Sequence, residues 1–267
     1  MSSINTNPGS MSALRLLTMT QKSLAQVQDQ LSSGLKVNNA QDAPATFVIA
    51  QGMRGDIGAL NAIREGIDFG IATNSMAVAG ATAISDQLTT LKELATQAKN
   101  DGLDGTVLQA QVTQVLAQID TIAGTSAFNG VNLLTATAAT LTVPTGLAAT
   151  DVISTSNTDL TSASGLSLGA IDVSADADAA LTAIAAAETI VGNALVAFGN
   201  FGNRLDSQGE FTTLLTDTMK EGLGTLVDAD MAEVSAQLTA IQTKEQLNIQ
   251  SLSIANSAPQ SILALFR

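Results

Sequence analysis

The two ends of the chain carry apolar residues spaced three and four positions apart. In the N-terminal part these residues are Leu14, Leu17, Leu24 and Leu31. In the C-terminal part they are Val227, Met231, Val234, Leu238 and Ile241. This spacing is typical of a coiled coil, in which two helices bury their apolar stripes against each other. A lone helix of this length is marginal in water, so we expect the two ends to pair.

Two polar residues fall on the same spacing in the N-terminal part. They are Gln21 and Gln28. A polar residue inside a coiled-coil seam fixes the register of the two helices and lowers their stability. This combination favours pairing that depends on assembly with other copies.

The composition removes most catalytic and metal-binding chemistry. The chain has 267 residues and contains no His, Cys, Trp or Tyr. His and Cys are the commonest general base, thiol nucleophile and transition-metal ligands, so we expect neither an enzyme nor a bound cofactor. The acidic residues Asp172, Asp176 and Asp178 lack the spacing of an EF-hand calcium loop. A turn in which an Asp caps the next helix is the favoured interpretation.

Negative charge is concentrated in the middle of the chain. The net charge is −13, and no basic residue occurs between Lys99 and Arg204. A body with this charge repels nucleic acid and anionic lipid, so we expect neither as a partner. The N-terminus lacks the pattern of a secretory signal peptide. No stretch suggests a membrane span, so we expect no membrane partner.

Helical periodicity and turn signals divide the chain into five helices and a small β-rich segment. The predicted helices are 11–33, 45–99, 105–125, 178–221 and 227–257. The β-rich segment is 129–177, with short strands at 140–143 and 151–154. This order predicts a mainly α protein, in which a long antiparallel helical bundle carries a small β-hairpin region. We expect a bundle domain over 43–224 and a terminal two-helix coiled coil formed by 1–42 with 225–267.

Three sequence motifs resemble those of bacterial flagellins. Residues 30–42 are QLSSGLKVNNAQD, which is similar to the family segment LSSGLRINSAKDD. Residues 128–134 are FNGVNLL, which is similar to FNGxxLL. Residues 255–267 are ANSAPQSILALFR, which is similar to ANQxPQxxLxLLR. The three motifs occur in the family order and span the chain, and the short interval after FNG resembles a flagellin without outer domains.

The resemblance implies a structural subunit that polymerises into the bacterial flagellar filament. It implies unfolded export by a type III apparatus, an extracellular location, and terminal helices that pair as an inner domain. Implied partners are other copies of the chain, an export chaperone, the filament cap and hook-associated proteins. An alternative is a hook–filament junction protein or another secreted coiled-coil type III substrate.

One segment of the long second helix resembles a part of flagellins that a Toll-like receptor recognises. Residues 88–94 are LTTLKEL where the family has LQRVREL. The resemblance implies that Leu88, Leu91 and Leu94 take part in packing between subunits. Thr89 and Thr90 replace the Gln-Arg pair, and Gln111 stands where a Glu is common. Because Thr cannot imitate the planar donors of Arg, we expect weak or absent receptor activation.

Overall fold

The fold consists of long helices with two short hairpins, in the computed structural model that describes residues 6–100, 102–136 and 140–265. Side chains are described through Ser257. In chain order the elements are α1 (Pro8–Ser33), α2 (Pro44–Ala98), α3 (Gly105–Thr125), β1 (Ala127–Phe128), β2 (Val131–Asn132), β3 (Leu141–Pro144), β4 (Val152–Thr155), α4 (Ala177–Val227) and α5 (Met231–Leu265). The fold is therefore mainly α with small antiparallel strand pairs, as the sequence predicts.

The ends of α1 follow directly from its sequence. The Asn7 carboxamide oxygen accepts a hydrogen bond from the Ser10 amide at 3.1 Å, and Pro8 occupies the first turn, where no helical amide donor is needed. Gly34 closes the helix with φ of 72°, a left-handed conformation that glycine adopts without steric penalty. The helix therefore begins three residues before the predicted start and ends as predicted.

The sequence predicts a helix end at 221 and a new helix from 227, but α4 continues through Gly222 and Gly224 to Val227. Asp228 donates its amide to the Gly224 carbonyl at 2.8 Å, which extends the helical pattern to the end of α4. A Cβ at Gly222 would lie 3.4 Å from the end of the Met53 side chain, so this glycine faces α2 at about ordinary contact distance. The break comes at Asp230, whose carboxylate accepts the Ala232 amide at 2.9 Å and caps α5.

The chain divides into two compact units. Unit 1 comprises residues 1–55 and 218–267, and unit 2 comprises residues 56–217. Unit 1 holds α1, α5, the start of α2 and the end of α4. Unit 2 holds the rest of those two long helices, α3 and the hairpins. The predicted domain boundaries at 42/43 and 224/225 differ from these divisions by 13 and 7 residues and stay a proposal.

In unit 2, α2 and α4 run antiparallel. Lys92 pairs with Glu188 at 2.8 Å, and Lys99 pairs with Asp178 at 2.6 Å near the opposite helix ends. Arg64 also donates to Thr213. Apolar residues of both helices, of α3 and of the connecting loops fill the core between these contacts. The largest fully buried ones are Phe198, Leu60, Ile67, Ile84, Leu88, Leu91, Ile119, Leu133, Leu134, Leu160, Leu166 and Leu168.

The two strand pairs are hairpins packed into unit 2. β1 pairs with β2 across a turn in which Asn129 and Gly130 both have positive φ, as a tight hairpin turn requires. β3 pairs with β4 in the register Leu141↔Thr155 through Pro144↔Val152. Leu141 and Val143 alternate with exposed neighbours and are buried, so one face of this hairpin packs on the core.

One helix is more apolar than the sequence analysis expected. An 18-residue window of α4 has a mean hydropathy of 1.7, and only 28% of that window is buried. By length and composition alone this window meets the criteria for a membrane span, which corrects the expectation that no such stretch exists. Its buried residues recur at helical spacing, so one side of the helix packs in unit 2 and the rest is exposed: Ala180, Ile184, Ala187, Val191 and Ala194.

Candidate assembly site

The terminal helices α1 and α5 pack side by side in opposite directions. The Asn7 amide group donates to the Ala255 carbonyl at 2.7 Å, at the start of α1 and late in α5. Ser10 donates to the Asn256 side chain at 2.7 Å one turn further along α1. The first contact joins residues that are 248 positions apart in sequence, and the second joins residues that are 246 apart. The two ends of the chain therefore pair within one molecule.

On α1, every second residue of the seam lies one position before the residue that the sequence predicts. The residues turned toward α5 are Ala13, Leu17, Thr20, Leu24, Val27 and Leu31, each buried or half-buried. Leu17, Leu24 and Leu31 are therefore in the seam. Leu14 is 54% exposed and lies outside it. Gln21 and Gln28 are exposed as well, so neither fixes the register.

The α5 side of the seam starts later and extends further than predicted. The residues turned toward α1 are Val234, Leu238, Ile241, Glu245, Asn248, Leu252 and Ala255, again buried or half-buried at alternating steps of four and three. Met231, at the first turn of α5, is 44% exposed. Val227 belongs to α4 and lies in a different cluster. Of the five predicted C-terminal residues, Val234, Leu238 and Ile241 are therefore the ones that are buried or half-buried on α5.

A polar pair crosses the seam near its middle. The Asn248 amide group donates to the Thr20 hydroxyl at 2.8 Å. The same hydroxyl donates to the Leu16 carbonyl at 2.9 Å, so Thr20 both accepts and donates. A single polar pair of this kind favours one register of the two helices over others. The seam therefore contains the kind of polar contact that the sequence analysis predicted, but from different residues.

A short backbone clasp, formed by residues 34–37 and 227–229, joins the end of α1 to the segment before α5. Lys36 donates its amide to the Val227 carbonyl at 2.7 Å, and Ala229 donates to the Gly34 carbonyl at 2.9 Å. Below the clasp, Val37, Ala50 and Val227 form a buried apolar cluster. The predicted packing residue Val227 therefore holds the clasp, and it has no part in the α1–α5 seam.

The face of α1 and α5 that lies outside the seam carries large apolar side chains in solvent. On α1 they are Met11, Leu14, Leu16 and Met19, each more than half exposed. On α5 they are Leu247, Ile249 and Ile254, also more than half exposed. Single exposed apolar residues are ordinary, but seven of them on two adjacent helices leave much apolar side chain of this pair in solvent. We call these seven residues the outer face of the helix pair.

The segment predicted to pack between subunits is divided between core and surface. Leu88 and Leu91 are fully buried in unit 2, and Leu94 is 9% exposed. A side chain without exposed area cannot touch a neighbouring molecule, so any effect of Leu88 and Leu91 on subunit packing must be indirect. Thr89 and Thr90, the positions of the receptor motif, are exposed.

Unit 2 has apolar surface of its own. The uncovered side of α4 includes Val196, which is 63% exposed. A separate open groove of about 500 Å³ lies beside the β3–β4 hairpin. Exposed Leu147, Val152 and Phe211 line this groove. The surface that needs covering is therefore not confined to the terminal helices.

The acidic residues form caps and turns. Asp172 accepts from the Ser174 hydroxyl and from the Ser174 amide at 2.9 Å, and these hydrogen bonds lower its pKa. Asp176 accepts the Ala179 amide at 2.9 Å at the start of α4, next to the position where the sequence analysis placed a cap. Among residues 6–100, 102–136 and 140–265, no group of three or more potential metal ligands is found. The exposed carboxylates of Asp172 and Asp176 therefore serve as hydrogen-bond acceptors in a turn and a helix cap.

Part of the seam has a weaker signal in the sequence, which becomes visible only in a longer repeat. Ala13, Thr20 and Val27 are small or polar, so a search for leucines passes over them. Glu245 and Asn248 continue the steps of four and three from Leu238 and Ile241. A polar residue inside such a repeat is a register signal, and Asn248 has that role here.

Two family models cover most of the chain. The bacterial flagellin N-terminal helical region matches residues 4–139. The bacterial flagellin C-terminal helical region matches residues 174–266. The stretch between these matches contains the β3–β4 hairpin. The two matches therefore include all of α1 to α5.

Individual relatives align with the chain from end to end. Flagellin FljM of Caulobacter vibrioides is 34% identical over 280 residues, with 100% of this chain and 99% of the relative covered. Flagellin of Brucella melitensis is 32% identical over 282 residues, with both chains fully covered. The crystal structure of Bacillus cereus flagellin aligns with a TM-score of 0.50 at 24% identity. It covers 55% of this chain and 88% of that one, and it supports the fold alone.

Proposed function

The chain belongs to the bacterial flagellin family and is a structural subunit of the flagellar filament, and we propose that the outer face of its terminal helix pair is where sister copies meet. The observation that carries this proposal is the exposed apolar surface of α1 and α5. Seven large apolar side chains there are each more than half exposed. Burial of each contributes roughly 1.5–3 kcal/mol, so contact with other copies stabilises both the pair and the polymer.

A substitution at Leu14 tests the proposal, because this side chain lies outside the α1–α5 seam of the monomer. It is 54% exposed, so Leu14→Glu leaves the seam intact. We expect this variant to remain helical by circular dichroism but to fail to elongate filament seeds in electron micrographs. Gln28→Glu is the matched control, because it adds the same charge at an exposed position on the same helix. Normal elongation by Leu14→Glu would contradict the proposal.

The seam itself is proposed to be needed for growth. Leu24 and Leu238 are half-buried in it, so Leu24→Asp or Leu238→Asp places a charge between α1 and α5. We expect either variant to lose polymerisation while unit 2 keeps its helical content. Filaments of normal length from either variant would refute this role.

We propose the domain boundaries that the sequence suggests, a terminal domain of 1–42 with 225–267 and a bundle domain of 43–224. Limited proteolysis of the monomer tests them. Cleavage first near 42 and 224 supports the proposed boundaries. Cleavage first near 55 and 217 favours the compact units instead.

The work of this subunit is proposed to be mechanical, without catalysis. A chain with no His or Cys lacks the usual nucleophile and base pairs, and its acidic residues with lowered pKa are exposed caps. The alternative, a hook–filament junction protein, shares the terminal helices. It predicts short assemblies at the hook, whereas a filament subunit elongates seeds without limit.

Export and its partners are proposals that rest on family membership. A type III apparatus would export the chain unfolded to the extracellular filament, where the cap and hook-associated proteins meet its ends. Before export, a chaperone would cover residues 227–254, which include the exposed Leu247 and Ile249. Hydrogen exchange of this segment should slow when the chaperone is added. Unchanged exchange would rule out this binding site.

A further inference from the structure

Methionine is the main target for peroxide in this chain. The sequence contains seven Met and no Cys, Trp, Tyr or His. A peroxide therefore meets none of the other side chains that it oxidises readily. Oxidation of Met to its sulfoxide changes a flexible apolar side chain into a polar one. The consequence depends on where each Met lies.

Two methionines stand out by position. Met19 is 63% exposed and Met11 is 58% exposed, and both belong to the outer face of α1. Met231 is 44% exposed at the start of α5, Met76 is 40% exposed in unit 2, and Met53 and Met219 are half-buried. Met11 and Met19 are thus the most exposed methionines among residues whose side chains are described.

Met11 and Met19 lie on one strip of α1 with Arg15 between them. The three residues are spaced four apart, and residues four apart on a helix are neighbours. Arg15 is exposed as well. The two methionines therefore supply the apolar part of this strip, on the side of α1 away from the seam residues Leu17 and Leu24.

We propose that Met11 and Met19 form a redox-sensitive modification site, at which sulfoxide formation blocks filament growth. In the reaction, a peroxide transfers one oxygen to each thioether sulfur, which is oxidised by two electrons, and hydrogen peroxide is reduced to water. Two sulfoxide oxygens beside Arg15 make the strip polar throughout. This inference rests on the proposed function, because the effect arises when a sister copy covers the strip.

The growth defect has a physical cause in burial. Each sulfoxide oxygen is a strong hydrogen-bond acceptor that is fully hydrated in the free subunit. Covering it with the apolar surface of another copy removes this water, and the covering surface supplies no donor in its place. We expect elongation of seeds to fall by about tenfold or more when both sites are oxidised, since one buried unsatisfied polar group has an effect of that order.

The experiment treats the unpolymerised full chain with hydrogen peroxide and measures seeded elongation. Tryptic peptides, cut after Arg15 and Lys22, place Met11 and Met19 on separate fragments, so mass spectrometry gives the sulfoxide fraction at each. Fragment ions separate Met11 from Met1. The variant Met11→Leu with Met19→Leu keeps apolar side chains of similar size and cannot be oxidised at either position. Untreated chain serves as the reference for growth.

We expect treated wild type to lose growth and the treated double variant to stay within about twofold of its untreated rate. Treatment of oxidised wild type with methionine sulfoxide reductases should restore growth. Unchanged growth with both sites oxidised would overturn the inference, as would equal loss in the double variant or no recovery after reduction. Failure of untreated wild type to elongate seeds would instead count against the proposed function.

Discussion

At the scale of single residues, one buried amide marks where α2 and α4 meet. Asn74 is 5% exposed, and its amide nitrogen donates to the Phe198 carbonyl of α4 at 3.0 Å. Its carbonyl oxygen is the one buried side-chain polar atom without a hydrogen-bond partner among the described residues. Gly202 leaves the space this amide needs, since a Cβ there would lie 2.9 Å from the amide nitrogen. The sequence gives no sign of this contact, because Asn74 and Gly202 are 128 residues apart.

Gly202→Ala should therefore destabilise unit 2. The added methyl displaces the Asn74 amide and leaves a buried polar group without its hydrogen bond, at a cost of about 1–3 kcal/mol. Gly199→Ala is the matched control three residues earlier, where nothing lies within 4 Å of the added Cβ. That change should raise stability by about 0.5–1 kcal/mol. Urea unfolding separates the two, and equal effects would contradict the role of Asn74.

Two exposed carboxylates link stability to acid pH. At Asp104, the cap of α3, the Thr106 hydroxyl and then the Thr106 amide lower the pKa from its ordinary value of 3.8. The Ser174 hydroxyl does the same for the pKa of Asp172. A lowered folded pKa stabilises the fold above about pH 3.8 and loses this effect as pH falls through the lower value.

The melting temperature should therefore fall between pH 5 and pH 2. Asp104→Asn should show a smaller fall, because Asn accepts the same amide hydrogen bond but does not titrate. NMR titration of the Asp104 and Asp172 carboxyl carbons measures the two pKa values directly. A midpoint at or above 3.8 for either group would contradict the hydrogen-bond geometry.

At the scale of elements, periodicity predicted each helix but left the phase of the seam open. Leu17, Leu24 and Leu31 are seven residues apart. The seam residue between two of these leucines can lie either three or four positions after the first. Leucine at position 14 favours one choice, whereas the structure uses Ala13 and Val27. Which small residues face a partner depends on that partner's shape, and a single helix does not contain this information. The end of α4 was missed because Gly222 and Gly224 favour a helix stop by local propensity, whereas both are helical in the structure.

The clasp gives a test of how the terminal helices are held. Gly34 has φ of 72° and open space around its Cβ position, so Gly34→Ala changes backbone strain and adds no clash. We expect a loss of about 1 kcal/mol in unit 1, because a left-handed alanine is disfavoured by that order. Faster hydrogen exchange in α1 and α5 would report it.

Gly52→Ala is the control for the clasp variant. It lies in α2 within unit 1, with nothing within 4 Å of its Cβ position. Alanine at a helical position without steric conflict should stabilise the unit by about 0.5–1 kcal/mol. If both variants slow hydrogen exchange alike, the left-handed conformation of Gly34 has no role in holding the helix pair.

At the scale of the whole molecule, the net negative charge opposes assembly, whereas the exposed apolar surface favours it. The chain carries a net charge of −13, and nine acidic residues lie between Lys99 and Arg204 with no basic residue among them. Lys92 and Lys99, the last basic residues before this stretch, already form ion pairs within the subunit. This balance could be read from the sequence, because net charge needs no tertiary structure. The exposed apolar faces could not, since their exposure depends on how the helices pack.

Filament growth should therefore depend on salt. Like charges on adjoining subunits repel over about 30 Å at 0.01 M salt and about 8 Å at 0.15 M, so screening lowers the barrier to addition. We expect seeded elongation to speed up severalfold across this range. Asp86→Asn with Glu93→Gln removes two exposed charges from unit 2 and should reduce the salt effect. Gln111→Asn, an exposed change without charge, should leave it unaltered. A rate that falls as salt rises would mean that attraction between charges drives assembly, and the apolar faces would lose their proposed role.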